Sequence, residues 1–223
     1  MLIKLLIKTL IVLILPVGSY AGDTAGFDRG NGGDAVICTT PDKFASIELL
    51  DWHELLNRYS YHPDNQMLAN YTTAEHLELL FRKIETSYPN FGALLRQLKS
   101  DQKSSFFFIA PMAIRNVNDE GHYVLKSSNC ELRQLAVNFR TPYDVTYIVN
   151  NWLYRLLPPS QQALLNLHEL TYRAIAILRP LNPPQNSEDI RHLVALAASV
   201  EFYADSNQLF IQSYFNFDSN PLK

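Results

Sequence analysis

The C-terminal third of the sequence constrains the fold most. Pro158-Pro159-Ser160 supplies a helix start, and Gln161–Leu178 then runs without a breaker until Pro180. After the loop Asn182-Pro-Pro-Gln-Asn186, either Asn186 or Ser187 can cap a further helix reaching about Ala204. Glu188 and Asp189 sit favourably in its first turn. An all-β fold is therefore excluded.

Upstream the periodicity changes. Asp34–Cys38 reads as a buried strand, Thr39-Thr-Pro-Asp-Lys43 has turn chemistry, and Ser46–Leu50 returns as a second strand, which predicts a β-hairpin over 34–50. Trp52 to Tyr59 suits a helical turn or two. Thr73 caps a helix over Ala74–Tyr88, with Leu77, Leu80, Phe81 and Ile84 at helical spacing. Pro89 stops it, and Phe91–Leu98 forms a shorter helix. Ser105–Ile109, with three consecutive phenylalanines, reads as an interior strand, and Val117–Gly121 as a polar turn. Residues 130–139 read as one half-buried strand and Tyr143–Val149 as another. Asn207–Phe217 is apolar enough to demand packing, but its pattern suits more than one state. The expectation is an α+β domain over 34–223: a small mixed or antiparallel sheet of four to five strands packed against several helices.

The N-terminus points to export. Lys4 and Lys8 flank an apolar run, Thr9–Gly18, and Ser19-Tyr20-Ala21 has small residues where a signal peptidase needs them. The run is about half the roughly 20 residues that span a bilayer, so residues 1–21 read as a cleaved signal peptide with no stable membrane span left behind. Residues 22–33 hold five of the chain's eight glycines and read as a flexible leader. Cleavage removes two lysines and no acids, taking the formal charge from −3 to −5. With no dense basic stretch, nucleic acid is not an expected partner. A hydrophobic fraction of 47% and a charged fraction of 18% suit a folded soluble domain, here periplasmic or secreted. Cys38 and Cys130 both survive cleavage. In an oxidising compartment an even count suggests one disulfide, two buried thiols being the alternative.

Leu167-His168-Glu169-Leu170-Thr171-Tyr172-Arg173 is the most suggestive stretch for chemistry. A zinc protease helix needs a second histidine four residues after the first, and here that position is Tyr172. His192, with Glu201 or Asp189, is the nearest source of further ligands. The structural alternative pairs Glu169 with Arg173 along the helix and lets His168 and Tyr172 fill an interhelical seam. Gly30-Asn-Gly-Gly-Asp34 resembles a phosphate loop only in composition, because it precedes a strand rather than a helix. The glycines otherwise supply a turn with access to positive φ. His53, His62, His76 and His122 show no ligand spacing, and no nucleophile elbow is present. No cofactor and no metal set is expected.

Four segments occur together in order: Gly30–Cys38, Glu48-Leu-Leu-Asp51, Cys130–Ala136 and Leu167–Arg173. With them the chain resembles a family of exported, functionally uncharacterised bacterial proteins that share the Gly-Asn-Gly-Gly-Asp turn and a late His-Glu-x-x-Tyr-Arg helix. The resemblance implies a bacterial, Gram-negative source and brings no reaction with it. Two functions follow as expectations. The first is a non-enzymatic domain that binds an unknown cell-envelope or extracellular partner. The alternative is a hydrolase, with or without a metal, in which His168 is base or ligand, Glu169 acid/base, Tyr172 a hydrogen-bond donor and Arg173 an anion binder. On a helix, Glu169 and Arg173 lie about 100° round from His168 and Tyr172, which makes a single four-residue site awkward.

Overall fold

A computed structural model describes residues 28–31, 33–40, 43–101, 106–109, 114, 123, 125, 127–140, 145–179 and 187–215. The signal segment 1–21, most of the 22–33 leader, the polar turn 117–121, His122 and the loop 182–186 lie outside them. Among the described residues the strands are β1 (Asp28–Asn31), β2 (Asp34–Thr40), β3 (Lys43–Leu49), β4 (Phe106–Ile109), β5 (Cys130–Gln134), β6 (Ala136–Arg140) and β7 (Val145–Asn150). The helices are α1 (Leu50–Asn57), α2 (Asn65–Leu68), α3 (Thr73–Ser87), α4 (Pro89–Asp101), α5 (Asn151–Leu156), α6 (Pro159–Leu178), α7 (Glu188–Ala197) and α8 (Asp205–Phe215). A 3-10 turn, Val200–Tyr203, joins the last two. The fold is α+β, with a helical C-terminal part.

The strands form two sheets rather than one, in the orders β1-β6-β7-β4 and β3-β2-β5. Only β4 pairs parallel, with β7. A bent ribbon links the sheets. Asn31 faces Val137 and Asp34 faces Gln134, so β1–β2 and β5–β6 keep a single antiparallel register across the bend. The seven strands exceed the expected four to five for two reasons. Residues 130–139 do not make one strand: they leave one sheet at Gln134 and enter the other at Ala136. And residues 28–31, expected to be flexible leader, are edge strand β1. The predicted hairpin over 34–50 forms, and Cys38 lies directly opposite Cys130 in the β2–β5 ladder, where the two are joined by a disulfide.

β4 is an edge strand, not an interior one, and Phe107 and Phe108 are 52% and 50% exposed. Successive strand residues point to opposite faces, so three phenylalanines in a row cannot share one buried side. The cap of α3 is Thr72, one residue before the predicted one. Thr72 has Glu75 three residues on, and the two complete a capping box; Thr73 would have had His76 there. Pro89 does end the preceding helix, and it also opens α4. Gly92 lets α3 and α4 approach: a Cβ there would stand 2.7 Å from the Glu85 Cα. α6 runs through the middle of the main core, buried from Ala163 to Tyr172, with α3, α4 and α7 against it and Ile37 and Leu135 of the ribbon and Leu49 of β3 in the same core.

Candidate functional site

α6 offers polar side chains where a core helix normally offers apolar ones. Gln161, His168 and Glu169 are all buried, and each reaches a different part of the β-ribbon or of α1. Gln161 Oε1 accepts from the Leu49 amide at 2.7 Å, fixing the point where β3 passes into α1. Two turns later His168 Nδ1 lies 2.8 Å from Asp51 Oδ1 in the first turn of α1. Glu169 Oε1 accepts from the Gly33 amide at 2.8 Å. The Gly33 carbonyl accepts from both Leu135 (3.1 Å) and Ala136 (2.9 Å), the residues at which the partner strand changes sheets. Tyr147 of β7 donates its hydroxyl to the Glu169 carbonyl at 2.8 Å.

Thus the two motifs that looked separate in the sequence are halves of one node. Gly33 from the Gly-Asn-Gly-Gly-Asp turn binds Glu169 from the His-Glu helix, and Asp51 from the Glu48-Leu-Leu-Asp51 segment binds His168. The glycine at 33 serves close approach rather than positive φ: a Cβ there would overlap the buried Leu165 side chain, with Leu49 on its other flank. The four residues weighed for catalysis do not form one site. Glu169 does not pair with Arg173; it turns inward to Gly33, and its Oε2 has no hydrogen-bond partner. His168 does not bond Tyr172, and its Nε2 likewise has none. Asp51, His168 and Glu169 each have 0% exposure. Burial works on both ionisable groups of α6. It would lower the His168 pKa, but the Asp51 carboxylate outweighs it and holds the imidazole up at about 9. It raises the Glu169 carboxyl to about 7 against the partial offset of His168 and the Gly33 amide.

A second buried layer continues from α1. Glu54 accepts from Arg191 Nε at 2.8 Å and from Arg58 at 3.2 Å, Arg58 also pairs with Glu188, and Arg191 donates to the Ser187 hydroxyl at 2.7 Å. Ser187 occupies the N-cap position of α7 but spends its hydroxyl on this arginine rather than on the helix end. On the far side of α1, buried His53 pairs with Glu48 at 2.9 Å. His192 and Glu201 lie elsewhere. His192 meets the Tyr61 hydroxyl at 2.9 Å and stacks between Tyr59 and Phe210; burial, helped by Arg58, lowers its pKa to about 4. Glu201 binds exposed His62. Among the described residues, no three His, Cys, Asp or Glu side chains gather as a metal ion would require.

Asp51, Glu54 and Arg191 are the members that reading the sequence for chemistry passed over. The available signal was the helix opening Asp51-Trp-His-Glu54. It follows a buried strand directly, so its acids have no exposed face to occupy. A scan against protein-family models, a search of curated proteins and a search of solved structures each found no match.

Proposed function

We propose that this is an exported, non-enzymatic domain of the periplasm or cell exterior that works by binding a cell-envelope partner. The observation that carries the reading is the complete burial of His168, Glu169 and Asp51. A general base or nucleophile-activating pair must reach its substrate directly or through one water, and these groups instead hold backbone and one another. Their arrangement has the chemistry of a core strut. The Cys38–Cys130 disulfide supports an oxidising compartment, and no helix of the described residues is long and apolar enough to cross a membrane. The half-exposed Phe107 and Phe108 at the edge of one sheet, with Trp152 beyond the adjoining strand, are of the kind that contact surfaces recruit.

The experiment compares the mature protein with Phe107→Ser/Phe108→Ser and with His168→Ala. In-cell cross-linking should give one discrete envelope adduct for the wild type that the double variant loses at unchanged melting temperature. Turnover of an ester, peptide or glycoside substrate by the wild type, abolished in a folded His168→Ala protein, would reverse the choice in favour of the hydrolase.

A further inference from the structure

The charges around α6 do not balance locally. Glu54 and Glu188 are matched by Arg58 and Arg191, and Glu48 is partly exposed and bound to His53. Asp51 and Glu169, however, bring two acids to one imidazole, all three fully buried. An uncompensated carboxylate in such a place is expensive, and the usual resolution is that it keeps its proton. The geometry says which oxygen holds it. Asp51 Oδ2 and Glu169 Oε2 both lack a hydrogen-bond partner. Asp51, however, is bound to the imidazole through Oδ1, whereas Glu169 has only the Gly33 amide on Oε1, so Glu169 is the acid that keeps its proton, on Oε2.

We propose that the node is a proton-operated latch: a neutral Glu169 keeps the ribbon bend docked on α6, and loss of its proton to solvent opens the bend at Gly33 and frees β1 from the sheet edge. The weak side of the node is the ribbon. Water can hydrate a new carboxylate there by displacing one amide, and among the described residues the chain beyond Gly33 is the four-residue edge strand β1, whose one strand partner is β6. The other walls are thicker. Asp51 faces the node from α1, Arg191 from α7 acts on His168 while bound to Glu54, and the Tyr147 hydroxyl of β7 holds the Glu169 carbonyl. Asp34, next to Gly33, is buried and has an interaction of its own. Charges on α3 and α4 point elsewhere: Glu78 and Glu85 bind Arg96, and Lys83 binds Asp64. The elevated pKa of Glu169, near neutrality, places the release in a range an exported protein meets.

The test is amide hydrogen exchange on the mature, disulfide-bonded protein, corrected for intrinsic rates. In the wild type, protection at Gly33, Leu135 and Ala136 should fall at least about tenfold between about pH 5.5 and about pH 8, while α6 amides stay protected. Glu169→Gln, which keeps the shape of the neutral acid, should hold the protection at both values. Equal protection of the wild type at both pH values overturns the latch, and so does a Glu169→Gln protein that loses protection as the wild type does. If that variant does not fold, a carbon-13 titration of the wild-type glutamate carboxyls decides: one midpoint near neutrality supports the proposal, and midpoints all in the ordinary carboxylate range refute it.

Discussion

At the scale of single residues, the buried pair His168–Asp51 and the glycine at 33 have distinct costs. Removing one partner of a buried ion pair leaves the other charge without compensation, so His168→Ala should destabilise by about 3–5 kcal/mol. Replacing both partners with leucine should recover much of that loss, because packed apolar side chains of similar volume avoid the desolvation cost. Chemical denaturation of the two single variants and the double variant measures the coupling; simple additivity would mean that the two side chains do not act as a pair. Gly33→Ala forces a methyl into Leu165, and overpacking of this kind costs about 1–3 kcal/mol. Its loss should shrink when combined with Leu165→Ala, which vacates the space the methyl needs, and an unchanged loss would place the strain elsewhere.

At the scale of elements, the β2–β5 ladder is stapled where Cys38 faces Cys130, with a sequence separation of 92. In the chain-entropy treatment, closing such a loop is worth about 4–5 kcal/mol. Cys38→Ser/Cys130→Ser should therefore lower the melting temperature by roughly 10 °C or more for a chain of this size. The ladder hydrogen bonds and the apolar contacts of Val36 and Leu50 with the partly buried Leu132 remain to preserve the register. Calorimetry with and without reductant checks this, and a melting point indifferent to reduction would contradict it. The exposed phenylalanines of β4 behave differently: Phe107→Ser should cost little, because half of that side chain already meets water.

At the scale of the whole molecule, the two ionisable groups of α6 act on stability in the same direction. Glu169, raised from 4.5 to about 7, holds a proton that the unfolded chain releases earlier, so stability falls as pH rises through that interval. His168, raised from 6.5 to about 9, contributes fully below 6.5 and loses its contribution as pH climbs to about 9. Lowered carboxyls such as Asp64 and Glu201 oppose this only toward acid and lie nearer the surface. The melting temperature should peak on the acid side of neutrality and decline steadily toward about pH 9. A melting temperature that rises from neutrality to mildly alkaline pH would count against the buried node.

Local chemistry alone determined much of this protein. Breaker-bounded apolar periodicity placed α3 and α6 to within a residue or two and α4 to within three, turn chemistry placed the β2–β3 hairpin, and an even cysteine count beside an expected export signal pointed to the disulfide. These are short-range consequences of sterics, hydrogen bonding and compartment. What only the tertiary structure decided is long-range. The run 130–139 looks like one alternating strand, yet it breaks at Leu135 because Gly33, about a hundred residues earlier, takes two of its amides. Residues 28–31 carry no strand signal of their own and become a strand because β6 presents them an edge. Glu169 looked ready for an ion pair one turn along its helix and instead crosses 136 positions of sequence to an amide. Pairings of that kind depend on which polar groups are stranded together when the core closes, and burial is a property of the assembled fold.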